Sequence, residues 1–409
     1  MNKSTNFFTR KVILFLISQN FSLFGSSLVG FAIIWHITLR TSSGTWLMLS
    51  TLATMVPYVL ISPWGGVWAD RHNRKHLIML ADAFIAFATL GLAISYMAGF
   101  RSLSLLLAVS VVRSLGAGIQ QPAVNAIYPQ LVAPEGLSKV QGVNQSLNAV
   151  LALLAPAAGG FILGSFGLVW AFMTDVITAG IAIIIMSLIR VEKITRTDAY
   201  LSFYQDIRQG LRYAYRSVLL KRLIIINALS FFLITPAAIL SPLQVGRSFG
   251  NDVWRLTANE MVWGIGSLIG GLFVAFFSQN RDKVKIISIC LFAFGISFAL
   301  LGLVPTFGLY LAVMLVAGFF LPLLSTAQTV FVQELTEAKM MGRVFSLLQI
   351  VSGSAMPVAI LVFGPLADLV SIESIMLVSG LLLAVVALVF FAGTHKLASP
   401  RLAPLSVET

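Results

Sequence analysis

The 409-residue chain contains little charge, since Asp, Glu, Lys and Arg together make up 10% of it. Soluble globular domains carry about 25% charged residues, so this composition excludes an ordinary soluble enzyme. Apolar residues reach 58% and the mean hydropathy is +0.93. Lipid is therefore the expected solvent for most of the chain, whose length suits about twelve membrane-spanning helices.

Cysteine is nearly absent, and Cys290 is the one copy. A disulfide bond within the chain is impossible, and no CxxC metal or redox pair exists. The four histidines show no metal-binding spacing, and no connection is long enough for a catalytic domain. We therefore expect no metal site, no cofactor and no enzymatic activity.

Long apolar runs dominate the sequence, and they are continuous rather than alternating with a period of two, which excludes barrel strands. The first run ends near residue 39 and is too long for a signal-peptide core of about 7–15 residues. The sequence predicts an all-α polytopic membrane protein. The other predicted spans cover residues 45–69, 76–98, 103–130, 136–164, 168–190, 219–247, 254–279, 285–304, 307–333, 339–367 and 373–393.

The basic residues are distributed unevenly between the two sides of the predicted membrane. With both termini in the cytoplasm, 22 of the 27 Lys and Arg fall in the tails and the even-numbered connections. This asymmetry follows the positive-inside rule, and it explains the net charge of +12 without nucleic acid as a partner. The five exceptions are Arg40, Arg101, Arg247, Arg255 and the intramembrane Arg113.

The longest connection divides the chain into two groups of six spans. We predict a bundle at 1–190, a cytoplasmic linker at 191–218, a second bundle at 219–394 and a cytoplasmic tail at 395–409. The linker contains an amphipathic segment, which favours a surface helix on the anionic inner leaflet, with a regulatory partner as the alternative. Its apolar face holds Leu201, Tyr204, Ile207, Leu211 and Tyr215, and its basic face holds Arg208, Arg212 and Arg216.

An internal repeat relates the two bundles. At an offset of 200, ten of the 41 positions from Leu115 to Ala155 are identical in the two halves. This composition gives about three identities by chance. The matches include Gly118 with Gly318. Because each half has an even number of spans, the two repeats have the same orientation in the membrane.

A charged segment follows the second span and resembles the signature loop of the major facilitator superfamily, GxxxDRxxRK. The matching residues are Gly66, Asp70, Arg71, Arg74 and Lys75. Asn73 replaces a glycine of the signature and can also adopt a left-handed conformation. The resemblance implies twelve transmembrane helices in two pseudo-symmetric six-helix bundles. It also implies that Asp70 is a conformational latch at the start of the eleventh span, residues 339–343, where a helix N-terminus stabilises an anion. A plain positive-inside turn is the alternative.

The fourth span carries an arginine inside the membrane. Arg113 costs at least about 2.5–3.5 kcal/mol there, so it should face protein or water. The superfamily has an arginine on this helix, followed by glycines, that is linked to proton movement, and Gly116 and Gly118 fit that pattern. The alternative is a structural arginine paired with backbone carbonyls or with Asp82.

The fifth span resembles the superfamily's antiporter signature, GxxxxxxxxGxxxGPxxGG. The matching residues are Gly142, Pro156, Gly159 and Gly160, while Leu151 and Ala155 replace two glycines. Proline removes a hydrogen bond of the helix, and small residues permit a close crossing, here with the eighth span. The resemblance implies antiport, and packing alone is the alternative.

Three acidic residues lie within predicted spans: Asp82, Asp175 and Glu260. An intramembrane carboxylate is a functional candidate by default, so we assign proton coupling to these acids together with Arg113. Asp82 has an alternative role as a partner of the signature-loop cations. Glu260 has an alternative as a solvated helix end.

Amide side chains are concentrated on the spans that line the cavity in this superfamily. A cavity of amides, Phe and Met with few fixed charges suits a large amphipathic ligand, while hydrogen bonding between helices is the alternative. Asn125 and Gln145 lie among them. The predicted substrate-binding residues are Gln19, Asn20, Gln120, Gln121, Asn144, Asn148, Asn227, Gln328 and Gln349.

Within the superfamily, the signature loop, the length and the segment 342–347 resemble the macrolide-efflux branch and bacterial siderophore exporters. The resemblance implies a proton-coupled antiporter of the bacterial inner membrane that functions as a monomer among membrane lipids. It would move an amphipathic drug-like molecule out of the cytoplasm by alternating access. Alternatives are a dedicated siderophore or metabolite exporter, a lipid flippase, which needs a lateral groove, and an uptake symporter.

Overall fold

The computed structural model of the protein describes residues 7–191, 203–277, 282–337 and 340–398. Within these ranges the chain forms thirteen α-helices and no β-strand. The helices are α1 (Arg10–Thr41), α2 (Gly44–Arg71), α3 (Arg74–Met97), α4 (Leu103–Leu131), α5 (Pro134–Ser165), α6 (Leu168–Ser187), α7 (Phe203–Arg216), α8 (Val218–Ser248), α9 (Val253–Phe277), α10 (Lys283–Leu301), α11 (Phe307–Leu335), α12 (Met341–Leu369) and α13 (Ile372–Ala398).

All of these helices except α7 are long and apolar enough to cross a membrane. The protein is therefore a multi-pass membrane protein with the twelve spans that the sequence predicts. Side chains cap the N-termini of several helices. The Thr9 side chain accepts a hydrogen bond from a backbone N–H in the first turn of α1, and the Asp282 side chain does the same at α10. Asn73 caps α3 in the same way with a φ of −66°, so it does not use the left-handed conformation that asparagine can adopt.

The helices form two compact units. The first unit contains α1, α3 to α6, the part of α2 that begins at Trp46, and the start of α9 up to Met261. The second contains α7, α8, the rest of α9, α10 to α13 and the short segment Ser43–Thr45.

The first unit has a polar layer between two apolar clusters. One cluster includes Phe15 of α1, and the other includes Leu28 of the same helix. Between them α1 carries Ser18, Gln19 and Ser22, all buried. Because α1 packs against α4, α5 and α6, these polar groups can bond only to neighbouring helices or to a ligand.

Glycines occupy equivalent helix crossings in the two units. A Cβ at Gly118 of α4 would lie 2.9 Å from the carbonyl oxygen of Tyr58 on α2. A Cβ at Gly318 of α11 would lie 3.2 Å from the carbonyl carbon of Trp263 on α9. Both crossings need a residue without a side chain, which explains why this pair matches in the sequence repeat.

The linker region contains α7, which packs on α12. A Cβ at Gly210 would lie 3.0 Å from the carbonyl oxygen of Arg343, and the Tyr213 hydroxyl accepts a hydrogen bond from the Glu337 backbone at 3.2 Å. Four side chains of α7 are exposed: Leu211, Arg212, Tyr215 and Arg216. Leu201 and the side chains of Tyr204, Ile207 and Arg208 lie outside the described residues.

Candidate functional site

Arg113 of α4 forms a buried ion pair with Asp175 of α6. Its guanidinium donates to the carboxylate and to the Thr89 hydroxyl, and the two charged side chains are 11% and 1% exposed. Arg113 also donates to the Ser26 backbone carbonyl at 3.4 Å. The alternative pairing of Arg113 with Asp82 is therefore wrong, and the partners of Arg113 are Asp175, the Thr89 hydroxyl and a backbone carbonyl.

A small residue on α1 allows this ion pair to reach the polar layer. A Cβ at Gly25 would overlap the Thr178 hydroxyl and would lie 2.9 Å from the Cα of Asp175. The close approach of α6 to α1 brings Asp175 within 3.3 Å of the Ser26 hydroxyl, which donates to its carboxylate. The glycine thus positions the acid.

Asp82 of α3 forms a second polar centre with neutral partners. Its side chain is buried, and its Oδ1 accepts from the Ser22 hydroxyl at 2.7 Å and from the Gln120 amide at 2.6 Å. Its Oδ2 has no hydrogen-bond partner in the described part of the chain, and no ion pair there includes Asp82. The alternative role of Asp82 as a partner of the signature-loop cations is therefore wrong.

The two centres adjoin each other. Ser22, which binds Asp82, and Ser26, which binds Asp175, are one helical turn apart on α1, so their Cβ atoms lie about 5–6 Å apart. On α4, Arg113 and Gln120 are seven residues apart and project from the same side of the helix. The first unit therefore contains one buried polar network, which includes a charged pair and an acid with neutral partners.

A cavity of about 300 Å³ opens beside this network within the first unit. Hydroxyl groups of α2 line it at four-residue spacing through Ser50, Thr54 and Tyr58. This stripe of hydroxyl groups was not predicted, although its four-residue spacing is visible in the sequence. Six of the predicted substrate-binding residues line the cavity together: Gln19, Asn20, Gln120, Gln121, Asn144 and Asn148.

The three other predicted substrate-binding residues belong to the second unit. Asn227 is buried and donates to the Ser352 hydroxyl at 2.8 Å, and Gln328 donates to the Asn227 side-chain oxygen at 3.4 Å. These contacts link α8, α11 and α12 by hydrogen bonds, as in the structural alternative. Gln349 is exposed on α12.

Glu260 is partly buried on α9, in the first unit. No hydrogen bond or ion pair connects it to another described residue. The structure therefore does not bring Glu260 into the network of Asp82, Arg113 and Asp175.

Arg74 and Lys75 of the signature loop bind to their own unit. Arg74 pairs with Asp70 at 3.3 Å and donates to the Ala126 carbonyl of α4 at 2.7 Å. Lys75 donates to the Ser187 and Ile189 carbonyls at 2.7 and 2.8 Å, where its charge suits the carboxyl end of α6. These bonds fix the turn between α2 and α3.

Gly66, Asp70 and Arg71 are the other predicted latch residues. A Cβ at Gly66 would meet nothing within 4 Å, and Arg71 is exposed. Asp70 is about half exposed, with a relative accessibility of 49% for its side chain. Residue 339 lies outside the described residues, and contact of Asp70 with residues 339–343 stays a prediction.

The glycines of the antiporter-like segment differ in their surroundings. A Cβ at Gly160 would overlap the Thr257 hydroxyl of α9, and one at Gly159 would lie 3.6 Å from Leu28 of α1. Pro156 is buried beside them. Gly142 has open space around it. The close contact of the fifth span with the eighth span is therefore present, and Gly160 is the glycine it requires.

A polar cluster around Asp368 in the second unit was not predicted from the sequence. Its carboxylate accepts from the Ser43 hydroxyl at 2.8 Å, the Gly44 N–H at 2.7 Å, and the Thr45 N–H and hydroxyl at 2.9 and 2.7 Å. Arg247 binds it at 3.0 Å. Asp368 thus caps the first turn of α2 from the end of α12. The Ser-Gly-Thr segment signals a helix start, but its capping acid lies more than 300 residues away in the sequence.

Comparisons with known proteins cover nearly the whole chain. The family model described as Transmembrane secretion effector matches residues 7–401. Macrolide efflux protein A of Streptococcus pyogenes is 30% identical over 377 residues, which cover 91% of this chain and 93% of that protein. Multidrug efflux pump Tap of Mycobacterium tuberculosis is 22% identical over 363 residues, covering 84% of this chain and 83% of that pump.

A solved structure shows the same fold. A bacterial homologue of the human lysosomal transporter Spinster aligns with a TM-score of 0.73 at 16% identity, covering 98% of this chain and 100% of that one. At this identity the similarity concerns the fold alone, which agrees with the twelve spans described above.

Proposed function

Because the chain belongs to the transmembrane secretion effector family of major facilitator transporters, we propose that it exports an amphipathic drug-like molecule in exchange for protons, by alternating access. The efflux proteins that it resembles support export of drug-like compounds. The distribution of basic residues supports a bacterial inner-membrane location with both termini in the cytoplasm. We place its action in a monomer, since the polar cavity lies within one chain.

The observation that carries the proton-coupling proposal is the environment of Asp82. A buried carboxylate without a compensating charge is costly when ionised, because its partners Ser22 and Gln120 are neutral. Binding or release of a proton at this acid therefore changes the free energy of the conformation that buries it. Asp175 differs because Arg113 already compensates its charge. Asp82 is the proposed proton carrier, and the Arg113–Asp175 pair is a fixed electrostatic support.

Gln120 connects this acid to the substrate. It lines the cavity, and its amide donates to Asp82 Oδ1 at 2.6 Å. A ligand that hydrogen-bonds to Gln120 competes for this amide and so changes the bonds available to Asp82. Substrate and proton thereby favour different states, as an exchange mechanism requires.

The cavity favours a neutral or cationic substrate over an anionic one. Arg113 is the cationic side chain among its lining residues, and its charge is compensated by Asp175. An anionic siderophore would have to bind amides and hydroxyls without a free cation. Drug-like molecules with neutral polar groups fit this lining better, because amides both donate and accept hydrogen bonds.

Proton flux in liposomes tests the proposal. Purified protein with an imposed pH gradient should give proton flux when erythromycin or tetraphenylphosphonium is added. Asp82→Asn should bind erythromycin but lose substrate-dependent flux, because an amide cannot carry the proton. Asp82→Glu should retain part of the flux.

The control for this measurement is Asp252→Asn, which changes an exposed aspartate outside the network. Its flux should equal that of the unsubstituted protein. Normal flux in Asp82→Asn would remove Asp82 from the mechanism. Absence of flux for every compound with the folded, unsubstituted protein would contradict proton-coupled drug export itself.

A further inference from the structure

The first unit has an apolar groove between α1 and α5 in addition to the polar cavity. The groove has a volume of about 430 Å³. Its α1 side includes Ile17 and Phe21, and its α5 side includes Val143 and Leu147. These side chains are between 36% and 40% exposed, so their apolar surface is available to a bound molecule.

The groove and the polar cavity share one residue. Asn20 of α1 lines both, and it is the one polar side chain among the residues that line the groove. On α5 the two linings alternate along the chain, since Asn144 follows Val143 and Asn148 follows Leu147. The two spaces therefore lie side by side along the same pair of helices and meet at Asn20.

The bonding of Asn20 indicates what the junction can accept. Its side-chain N–H donates to the Leu16 carbonyl at 2.7 Å, while its Oδ1 is buried and has no partner among the described residues. A buried acceptor without a partner is unfavourable, because it has lost its hydrogen bonds to water. A ligand with a hydroxyl or ammonium donor at this point can remove that cost.

We propose that the groove and the cavity form one bipartite substrate site. The apolar body of an amphipathic molecule lies in the groove between α1 and α5, its polar groups bind the amides of the cavity, and a hydroxyl or ammonium group between them donates to Asn20. This inference rests on the proposed export function and names the chemistry of its substrate. A phospholipid acyl chain fits the groove less well, because it covers Asn20 with a surface that cannot donate a hydrogen bond.

Equilibrium binding to the purified full-length protein tests the groove. Leu147→Gln places an amide in the apolar wall and should weaken erythromycin binding by at least about tenfold, the effect expected when apolar contacts in a pocket are lost. Val143→Trp fills part of the groove and should weaken binding similarly. Leu80→Gln is the matched control, because Leu80 is a 68% exposed leucine of α3 that lines neither space. Its affinity should be unchanged.

A second probe separates the two parts of the site. Tetraphenylphosphonium is a lipophilic cation with an aromatic surface, and it has no hydrogen-bond donor. The groove variants should weaken its binding, whereas Asn20→Leu should weaken erythromycin binding and leave tetraphenylphosphonium binding intact. Equal loss of both probes in Asn20→Leu would contradict the role of the junction.

Further outcomes separate this proposal from the proposed function. Erythromycin binding that Leu147→Gln and Val143→Trp leave intact, in protein with a normal size-exclusion profile, would overturn the groove while export still stands. If erythromycin binding is intact in both variants but the purified variants have lost bound phospholipid, the groove is a lipid site. If the unsubstituted protein binds neither probe, both the groove and drug export are contradicted.

Discussion

At the scale of single residues, the two buried acids of the first unit have different bonding partners. Asp175 is bonded to Arg113, Thr89 and Ser26, whereas Asp82 is bonded to Ser22 and Gln120. A charged pair in a low-dielectric region is tolerated because each charge compensates the other. An acid with neutral partners lacks this compensation, which is why we propose Asp82 rather than Asp175 as the proton carrier.

This difference predicts how the ion pair responds to substitution. Removing one partner leaves a buried charge uncompensated, so Asp175→Asn and Arg113→Gln should each lower the free energy of unfolding by about 3–5 kcal/mol. The double variant removes both charges and should lose clearly less than the sum of the single losses. Thermal unfolding of the purified proteins in one detergent measures all three. Additive losses would show that the two side chains do not stabilise each other.

At the scale of helices, glycines determine where two spans can pack closely against each other. Gly160 of α5 has no space for a side chain against Thr257 of α9, while Gly142 of the same helix has open space around it. Both positions match the antiporter-like signature. Packing explains Gly160, and nothing in the described structure explains why Gly142 is a glycine.

The two glycines should therefore respond oppositely to alanine. Gly160→Ala forces a methyl group into the Thr257 side chain and should lower the free energy of unfolding by about 1–3 kcal/mol. Gly142→Ala fills open space in a helix and should be neutral or stabilising by up to about 1 kcal/mol. Melting temperatures of both variants in the same detergent provide the comparison. Equal melting temperatures would mean that the α5–α9 crossing adapts to the added methyl group.

A polar cluster around Asp368 also connects helices to one another. Four donors from residues 43–45 and the guanidinium of Arg247 bind one carboxylate. The acid satisfies backbone N–H groups that the first turn of α2 leaves without helical partners. It thereby connects the start of α2 with the ends of α8 and α12.

At the scale of the whole molecule, the basic residues predict the orientation in the membrane. The connection before α4 should face outside, and the connection before α5 should face the cytoplasm. The buried Cys290 gives a low background for cysteine labelling. In intact cells a membrane-impermeant maleimide should label Arg101→Cys, whereas Glu135→Cys should react only after permeabilisation. Both positions are exposed.

The unsubstituted chain is the control and should stay unlabelled in both conditions. Labelling of Glu135→Cys in intact cells, with Arg101→Cys protected, would reverse the proposed topology and direction of export. Labelling of both positions in intact cells would contradict the assignment of α4 as a single membrane span.

The sequence by itself determined the twelve spans, because each is a long apolar run whose helix satisfies its own backbone hydrogen bonds in lipid. It also determined the glycine repeat that relates Gly118 to Gly318, and it identified the amides that line the cavity. These features depend on local composition and spacing, which a single helix already contains.

Tertiary structure alone decided which partners the polar residues have. Arg113 binds Asp175 rather than Asp82, and Asp368 caps a helix more than 300 residues away, because the rotation and depth of each helix are set by packing against its neighbours. The groove that adjoins Asn20 has the same origin. A sequence specifies which side chains each helix carries, but close packing between helices selects which of them meet.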